Sequence, residues 1–303
     1  MNHFEKTKHY VHSGNICLAA YHWGRLDADR ETIVLVHGYP DAADVWQLVA
    51  ERLAADFNVV AYDVRGTGLS DIPETTQGYA FDYLVQDLSQ VIQAISPNQA
   101  IHLVGHDWGA LQAWEAVLGD RLKPQIASYT ALAPSADHVG WWFQRQLAQR
   151  NFQGYFNVAK RITASGYMAM FQMPILPELT WHLGLDKLWS TLVGYLENTT
   201  VEASPTQLRN AKSGLGLYRQ NLVKPLLNPS RRRTTIPVQM LLMNQDPFVP
   251  LSLSQGMQEW VQDIRYTEVS AGHWGILSQP QSIAEKIQQF VQSISENRPK
   301  KIV

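Results

Sequence analysis

The chain has 303 residues, of which 45% are hydrophobic, and its 25 basic and 27 acidic residues leave a formal net charge of -2. This composition is sufficient for a folded core and excludes a disordered chain. The near-neutral charge does not indicate binding to nucleic acid or to an anionic membrane. The single cysteine, Cys17, excludes an internal disulfide and a multi-cysteine metal site.

Apolar segments are short throughout the sequence. Residues 1–14 carry charges and histidines in place of the apolar stretch of a signal peptide. The longest apolar runs are strand-sized, well below the roughly 20 residues of a membrane span. We therefore expect a cytoplasmic protein without a transmembrane segment.

Strand patterns alternate with helical patterns in chain order. An antiparallel pair of strands is predicted over residues 8–24. Further strands are predicted over residues 33–36, 58–62, 101–104, 126–132, 238–243 and 266–269. Helices are predicted over residues 44–54, 79–95, 110–118 and 282–294. This order predicts an α/β fold with a mostly parallel eight-stranded sheet and helices on both faces.

The segment between the strands at 126–132 and 238–243 has a different character. It is rich in aromatic residues, is interrupted by glycine and proline, and contains no strand candidate. We interpret it as a helical lid inserted into the sheet domain. The predicted domains are a core at residues 1–134 and 229–303 and a lid at residues 135–228.

Residues 105–109, Gly-His-Asp-Trp-Gly, follow a predicted strand and open a helix. Such a small-x-nucleophile-x-small turn presents its central side chain on a sharp, strained bend. Asp107 occupies that position. Because a carboxylate is already charged near neutral pH, it can displace a leaving group at a saturated carbon. The pattern predicts an alkyl ester on Asp107, which an activated water must then hydrolyse.

The predicted base is His273, which follows the last strand in a Gly-His-Trp sequence. The predicted orienter of this base is Asp246, directly after the strand at 238–243, and Asp137 is the alternative orienter. The chain order Asp107, Asp246, His273 matches the nucleophile, acid, histidine order of this fold.

Backbone N–H groups are the predicted oxyanion hole. Trp108 supplies one N–H at the helix start and Tyr39 supplies the other. His37, Gly38 and Pro40 are predicted to support the site as part of the same loop, with Gly38 allowing close approach and Pro40 fixing the loop through a cis bond. A plain turn after a buried strand is the alternative.

Two other runs are interpreted as structural. Residues 66–71 lack the spacing of a phosphate loop, and Asp63 and Arg65 are expected to hold loops together there. The three arginines at 231–233 are expected to form a solvated loop.

The motifs at residues 37–40, 105–109 and 272–274 are similar to those of the α/β-hydrolase-fold epoxide hydrolases. The resemblance covers about residues 10–295. The chain most resembles the hydrolase half of a mycobacterial type that is fused to a short-chain dehydrogenase. Because the sequence stops about 30 residues after His273, we expect the dehydrogenase half to be absent.

The resemblance implies a reaction and two further site residues. Tyr167 and Tyr218 match the lid tyrosines that hold and protonate the epoxide oxygen in that family. The implied reaction opens a small lipophilic epoxide to a vicinal diol, with no metal or organic cofactor.

Other functions remain as alternatives. Haloalkane dehalogenases share the Asp nucleophile, although they commonly carry Asn where Tyr39 stands here. Fluoroacetate dehalogenases carry Arg where Trp108 stands. A non-catalytic binding protein of this fold is the second alternative, and the oligomeric state is left open, with a homodimer as one option.

Overall fold

A computed structural model describes residues 4–296 and contains one eight-stranded sheet in the order β1-β2-β4-β3-β5-β6-β7-β8. The strands are β1 (Lys6–Ser13), β2 (Ile16–Trp23), β3 (Thr32–Val36), β4 (Asn58–Tyr62), β5 (Ile101–Gly105), β6 (Ile126–Ala131), β7 (Val238–Met243) and β8 (Ile264–Val269). β2 pairs antiparallel with β1 and with β4, and the remaining neighbours pair in parallel. The predicted mostly parallel sheet is confirmed.

Helices follow most of the strands. They are α1 (Gln47–Leu53), α2 (Phe81–Ile95), α3 (Trp108–Leu118), α4 (Ala136–Ala148), α5 (Phe152–Ala164), α6 (Gly166–Gln172), α7 (Leu176–Thr180), α8 (Asp186–Glu197), α9 (Gln207–Asn221), α10 (Val223–Leu227), α11 (Gly275–Ser278) and α12 (Pro280–Glu296). None of the helices within residues 4–296 is both long enough and apolar enough to span a membrane.

The two faces of the sheet form two separate hydrophobic cores. In β3, Val34 and Val36 join the core beneath α2 and α3, while Ile33 and Leu35 join the core beneath α1 and α12. Side chains alternate in this way because successive residues of a strand point to opposite faces. A strand covered on both faces therefore has a continuous apolar run, which is why β3 was predictable.

Helix starts differ from the predictions by a few residues. The helix predicted from residue 44 begins as the 3-10 turn Ala43–Trp46 and becomes α-helical at Gln47. The helix predicted from residue 79 begins at Phe81, after the 3-10 turn Thr76–Tyr79. The last helix begins earlier, at Pro280, because proline is well suited to the first helical position.

Between β6 and β7 the described chain contains α4 to α10 and no strand. Amide side chains of α9 attach this helical segment to loops of the sheet: Gln207 donates to the carbonyl of Pro40 at 3.0 Å, and Asn210 accepts from the N–H of Gly68 at 2.8 Å. The division into a core at 1–134 and 229–303 and a lid at 135–228 stays a prediction. Residues 1–3 and 297–303 of that core lie outside the described residues.

The loop after β4 is held by charged side chains, as expected. The carboxylate of Asp63 accepts hydrogen bonds from the hydroxyl of Tyr21 and the N–H groups of Ala43 and Leu69, each at 2.9 Å. Arg65 forms a buried ion pair with Asp87 through two contacts of 2.6 Å. These contacts give Asp63 and Arg65 a structural role in holding the loop.

Candidate active site

Asp107 lies at the bend between β5 and α3 with φ 51° and ψ −124°. A positive φ is rare for residues other than glycine and is typical of strained functional turns. Gly109 lies against the carbonyl oxygen of Val36, and a Cβ atom there would overlap it. The glycine of the motif is therefore required for the bend to pack on β3.

The loop after β3 lies directly against the Asp107 carboxylate. The N–H of Tyr39 donates to Oδ1 of Asp107 at 2.7 Å. A Cβ atom on Gly38 would overlap the Asp107 side chain. The Tyr39–Pro40 peptide is cis, as predicted. Trp108 is the first residue of α3, so its N–H has no acceptor within the helix.

His37 holds this loop in place from beneath. Its Nδ1 lies 2.9 Å from the carbonyl oxygen of Gly38, and its Nε2 accepts a hydrogen bond from the N–H of Val64 at 2.9 Å. Burial lowers the pKa of His37. The ring is therefore a neutral structural group, consistent with its predicted support of the loop.

His273 lies between two carboxylates. Its Nδ1 is 2.7 Å from Oδ2 of Asp246, and its Nε2 is 3.5 Å from Oδ2 of Asp107. The other oxygen of Asp246 accepts hydrogen bonds from the N–H groups of Phe248 and Val249 at 2.7 and 2.9 Å. These bonds fix the carboxylate that would orient the imidazole.

Asp137, the alternative orienter, is engaged elsewhere. It accepts a hydrogen bond from the N–H of Ser230 at 2.9 Å and pairs with Arg232 at 2.6 Å. Arg232 also pairs with Glu115 at 2.6 Å. The prediction of a solvated loop is therefore wrong for Arg232, because this side chain joins acidic side chains of α3 and α4.

Asp107, His273 and Asp246 shift one another's pKa values. Burial by itself would raise the pKa of Asp107, but the hydrogen bond and charge of His273 outweigh it, so the pKa lies below its usual value. Burial would lower the pKa of His273, but the charge of Asp246 and the contacts with Asp107 raise it well above its usual value. The resting site therefore favours a carboxylate at Asp107 and a protonated His273.

A cavity of about 300 Å³ opens above Asp107. Tyr167 of α6 and Tyr218 of α9 line it from the helical segment, and Trp108 lines it from the sheet domain. Burial raises the pKa of both tyrosines, and the charge of Asp107 raises it further. Both phenols therefore stay protonated and can donate hydrogen bonds.

The sequence analysis missed two acidic side chains near His273. Glu197, the last residue of α8, accepts hydrogen bonds from the N–H of Trp274 at 2.8 Å and the hydroxyl of Ser278 at 2.7 Å. Asp41 accepts from the indole N–H of Trp274 at 3.1 Å, and burial raises the pKa of Asp41 to about 7. The only signal for Glu197 is its unfavourable charge at a helix C-terminus.

No group of three His, Cys, Asp or Glu side chains within the described range 4–296 is arranged to hold a metal ion. The predicted residues are connected in series, Tyr39 to Asp107, Asp107 to His273 and His273 to Asp246. The two predicted tyrosines line the cavity above Asp107.

Comparison with known proteins gives the family. Residues 31–280 match the family described as alpha/beta hydrolase fold. The curated protein "Probable oxidoreductase EphD" from Mycobacterium tuberculosis is 30% identical over 294 residues, which cover 93% of this chain and 49% of that protein. The chain therefore spans about half the length of this relative.

Two further relatives are named as epoxide hydrolases. "Epoxide hydrolase 3" of Xenopus tropicalis is 25% identical over 300 residues, covering 93% of this chain and 74% of that protein. The crystal structure of Bacillus megaterium epoxide hydrolase in complex with an inhibitor superposes with a TM-score of 0.74 at 26% identity, covering 94% of this chain and 100% of that one. The resemblance drawn from the motifs is confirmed, and the chain belongs to the α/β hydrolase fold family.

Proposed function

We propose that the chain is an epoxide hydrolase that opens a lipophilic epoxide to a vicinal diol. The observation that carries this proposal is the placement of an Asp–His pair at the floor of a cavity that two protonated tyrosines also line. An alkoxide is a poor leaving group and needs a proton donor, whereas a halide does not. The two relatives that are named epoxide hydrolases support the same reaction.

In the first step, Asp107 attacks the less hindered epoxide carbon. Its Oδ1 is held by the N–H of Tyr39, which leaves Oδ2 as the attacking oxygen. A carbon–oxygen bond forms to Oδ2 as the ring carbon–oxygen bond breaks. Tyr167 and Tyr218 hold the departing oxygen, and one of them transfers its proton to it.

In the second step, water hydrolyses the ester. Esterification removes the negative charge of Asp107, which had raised the pKa of His273, so the imidazole can give up its proton through solvent to the tyrosinate left by ring opening. Neutral His273, oriented by Asp246, then takes a proton from water as the water attacks the ester carbonyl. The N–H groups of Tyr39 and Trp108 stabilise the resulting oxyanion. It collapses as the bond to the diol oxygen breaks, and that oxygen takes the proton from His273. The Asp107 carboxyl then gives its proton to His273, which restores the starting charge states.

Dodecene oxide and bromododecane test this reaction, because both present a lipophilic chain with a different leaving group. We expect the purified chain to form the diol and to release no bromide. Asp107→Asn, which keeps the shape but lacks the nucleophile, should form neither product. Bromide release without diol formation would instead assign the site to haloalkane dehalogenation.

A further inference from the structure

Arg161 is a buried basic side chain that the proposed reaction does not use. It lies on α5, is 8% exposed and lines the same cavity as Asp107. Its Nε donates to the hydroxyl of Ser165 at 3.1 Å, while its buried Nη2 has no hydrogen-bond partner among the described residues. Buried charges are normally paired, so this donor needs an acceptor from elsewhere.

The side chains around Arg161 do not supply that acceptor. Asp246 interacts with it electrostatically, but the Asp246 oxygens already contact His273 and the N–H groups of Phe248 and Val249. Tyr167 also lies close to Arg161, but its protonated phenol carries no charge. No acidic side chain among residues 4–296 forms an ion pair with this guanidinium, and Asp246 offsets its charge only in part.

Other arginines of the helical segment behave differently. Arg219 pairs with Glu178 at 2.6 Å, and Arg145 pairs with Glu259 at 2.7 Å. The first pair joins two helices of the segment and the second joins the segment to the chain after β7, whereas Arg161 faces a cavity whose lining is mostly apolar. The apolar lining near it includes Val139, Phe143, Ile162, Met168, Leu222 and Leu226.

We propose that the substrate is an epoxide that carries a carboxylate on an apolar chain, as in an epoxy fatty acid, and that Arg161 binds this carboxylate. This inference rests on the proposed function. Guanidinium groups bind carboxylates with strong, charge-assisted hydrogen bonds. Ser165 lines the cavity beside Arg161 and, because it accepts from Nε, its hydroxyl proton is available to the same carboxylate.

Arg161 would bind the carboxylate away from the carbon that Asp107 attacks. Trp108 follows Asp107 in the sequence, so that position supplies no cation for a carboxylate. Arg161 comes from a different element, α5 in the helical segment, and lines the same cavity as Asp107. The site would therefore hold the acid group at one end of the chain and the epoxide at the other.

The test compares ω-epoxy fatty acids, from epoxyoctanoic to epoxytetradecanoic acid, with their methyl esters. Each ester keeps the chain and the epoxide but lacks the charge. We expect the wild-type kcat/KM to be higher for the acid than for the ester at one or more lengths. Arg161→Gln should lower this acid-to-ester ratio by about 10- to 100-fold, and Arg161→Lys should lower it less.

Lys160→Gln is the matched control, because it removes an exposed positive charge from the adjacent position of the same helix. It should leave the acid-to-ester ratio unchanged. Dodecanoic acid, which has no epoxide, gives a readout that does not depend on turnover. It should quench tryptophan fluorescence at a lower concentration with the wild type than with Arg161→Gln.

The outcomes separate the two proposals. If Arg161→Gln forms diol from both substrates with an unchanged ratio, and binds dodecanoic acid as the wild type does, the inference is overturned and the proposed function stands. If the wild type forms diol from neither acids nor esters, the proposed function fails and the inference fails with it. Thermal unfolding of each variant establishes that it is folded.

Discussion

At the scale of single residues, the site is a set of charge states that the reaction exchanges. Asp107 begins as a carboxylate because His273 lowers its pKa, and both tyrosines begin protonated because burial raises theirs. In the proposed reaction, opening the epoxide would neutralise Asp107 and thereby release the proton of His273. Each step thus prepares the ionisation state that the next step needs.

These pKa directions predict different pH dependences for the two steps. Ester formation needs ionised Asp107 and protonated Tyr167 and Tyr218, so its rate should be flat between about pH 5 and pH 9. Ester hydrolysis needs neutral His273, so its rate should rise with pH through the lowered pKa of that histidine in the ester. Asp246→Asn removes the largest contribution that raises this pKa and should move the rise towards acid.

Stopped-flow tryptophan fluorescence separates the two rates, since Trp108 adjoins the nucleophile. A rate of ester formation that already falls below about pH 6 would contradict the assigned charge states. A rate of ester hydrolysis that does not change with pH would contradict them as well.

The proposed role of Tyr167 and Tyr218 as proton donors predicts a loss of ring opening when both hydroxyls are removed. Tyr167→Phe combined with Tyr218→Phe removes both donors to the departing oxygen, so the single-turnover rate of ring opening should fall by about a hundredfold or more. Tyr155→Phe, at an exposed position of α5, is the control and should open the epoxide at the wild-type rate. Ring opening by the double variant at the wild-type rate would remove the tyrosines from the mechanism.

At the scale of elements, α8 and the loop that carries His273 are joined by Glu197. Its carboxylate accepts the N–H of Trp274, the residue after the histidine, and the hydroxyl of Ser278 in α11. Since Glu197 is 8% exposed, truncation would leave these donors unsatisfied at a cost of about 1–3 kcal/mol. The helical segment thus contacts the loop that carries the proposed base, in addition to lining the cavity.

We expect Glu197→Ala to slow ester hydrolysis more than ester formation, because it displaces the base without touching the nucleophile. Glu197→Gln keeps one acceptor oxygen and should recover part of the rate. Glu202→Ala, at an exposed position, is the control. Equal slowing of both steps by Glu197→Ala would indicate general destabilisation and would count against a positioning role.

The sequence predicted the elements and motifs that consecutive residues form, and it missed several contacts between distant residues. The strands and the turn at Asp107 were predictable because each rests on consecutive residues: an apolar run, then glycines that allow a sharp bend. Glu197 and Arg161 act through contacts with residues far along the chain or with a cavity, and no short pattern encodes those. Arg232 was misjudged for the same reason, since Glu115 is 117 positions away.

At the scale of the whole molecule, the buried pair of Arg65 and Asp87 ties the loop after β4 to α2. Removing one partner leaves the other charge buried and alone, so Arg65→Met or Asp87→Leu should lower the free energy of unfolding by about 3–5 kcal/mol. Combining both substitutions should recover much of that loss, as both charges are then gone. Urea denaturation measures each variant.

The exposed pair of Arg145 and Glu259 provides the comparison. Its side chains are 36% and 53% exposed, so Glu259→Gln should change the free energy of unfolding by at most about 1 kcal/mol. A buried-pair variant that unfolds at the same urea concentration as this control would contradict the structural role of Arg65 and Asp87.

The central claim is a covalent ester on Asp107, and the intact mass of His273→Ala after brief exposure to dodecene oxide tests it most directly. Without its base, this variant should form the ester and stall. We predict a mass gain equal to the whole epoxide, located by peptide mapping on Asp107 and absent when Asp107→Asn is added. Diol formation by His273→Ala through many turnovers at the wild-type rate, or an adduct on another residue, would contradict the account.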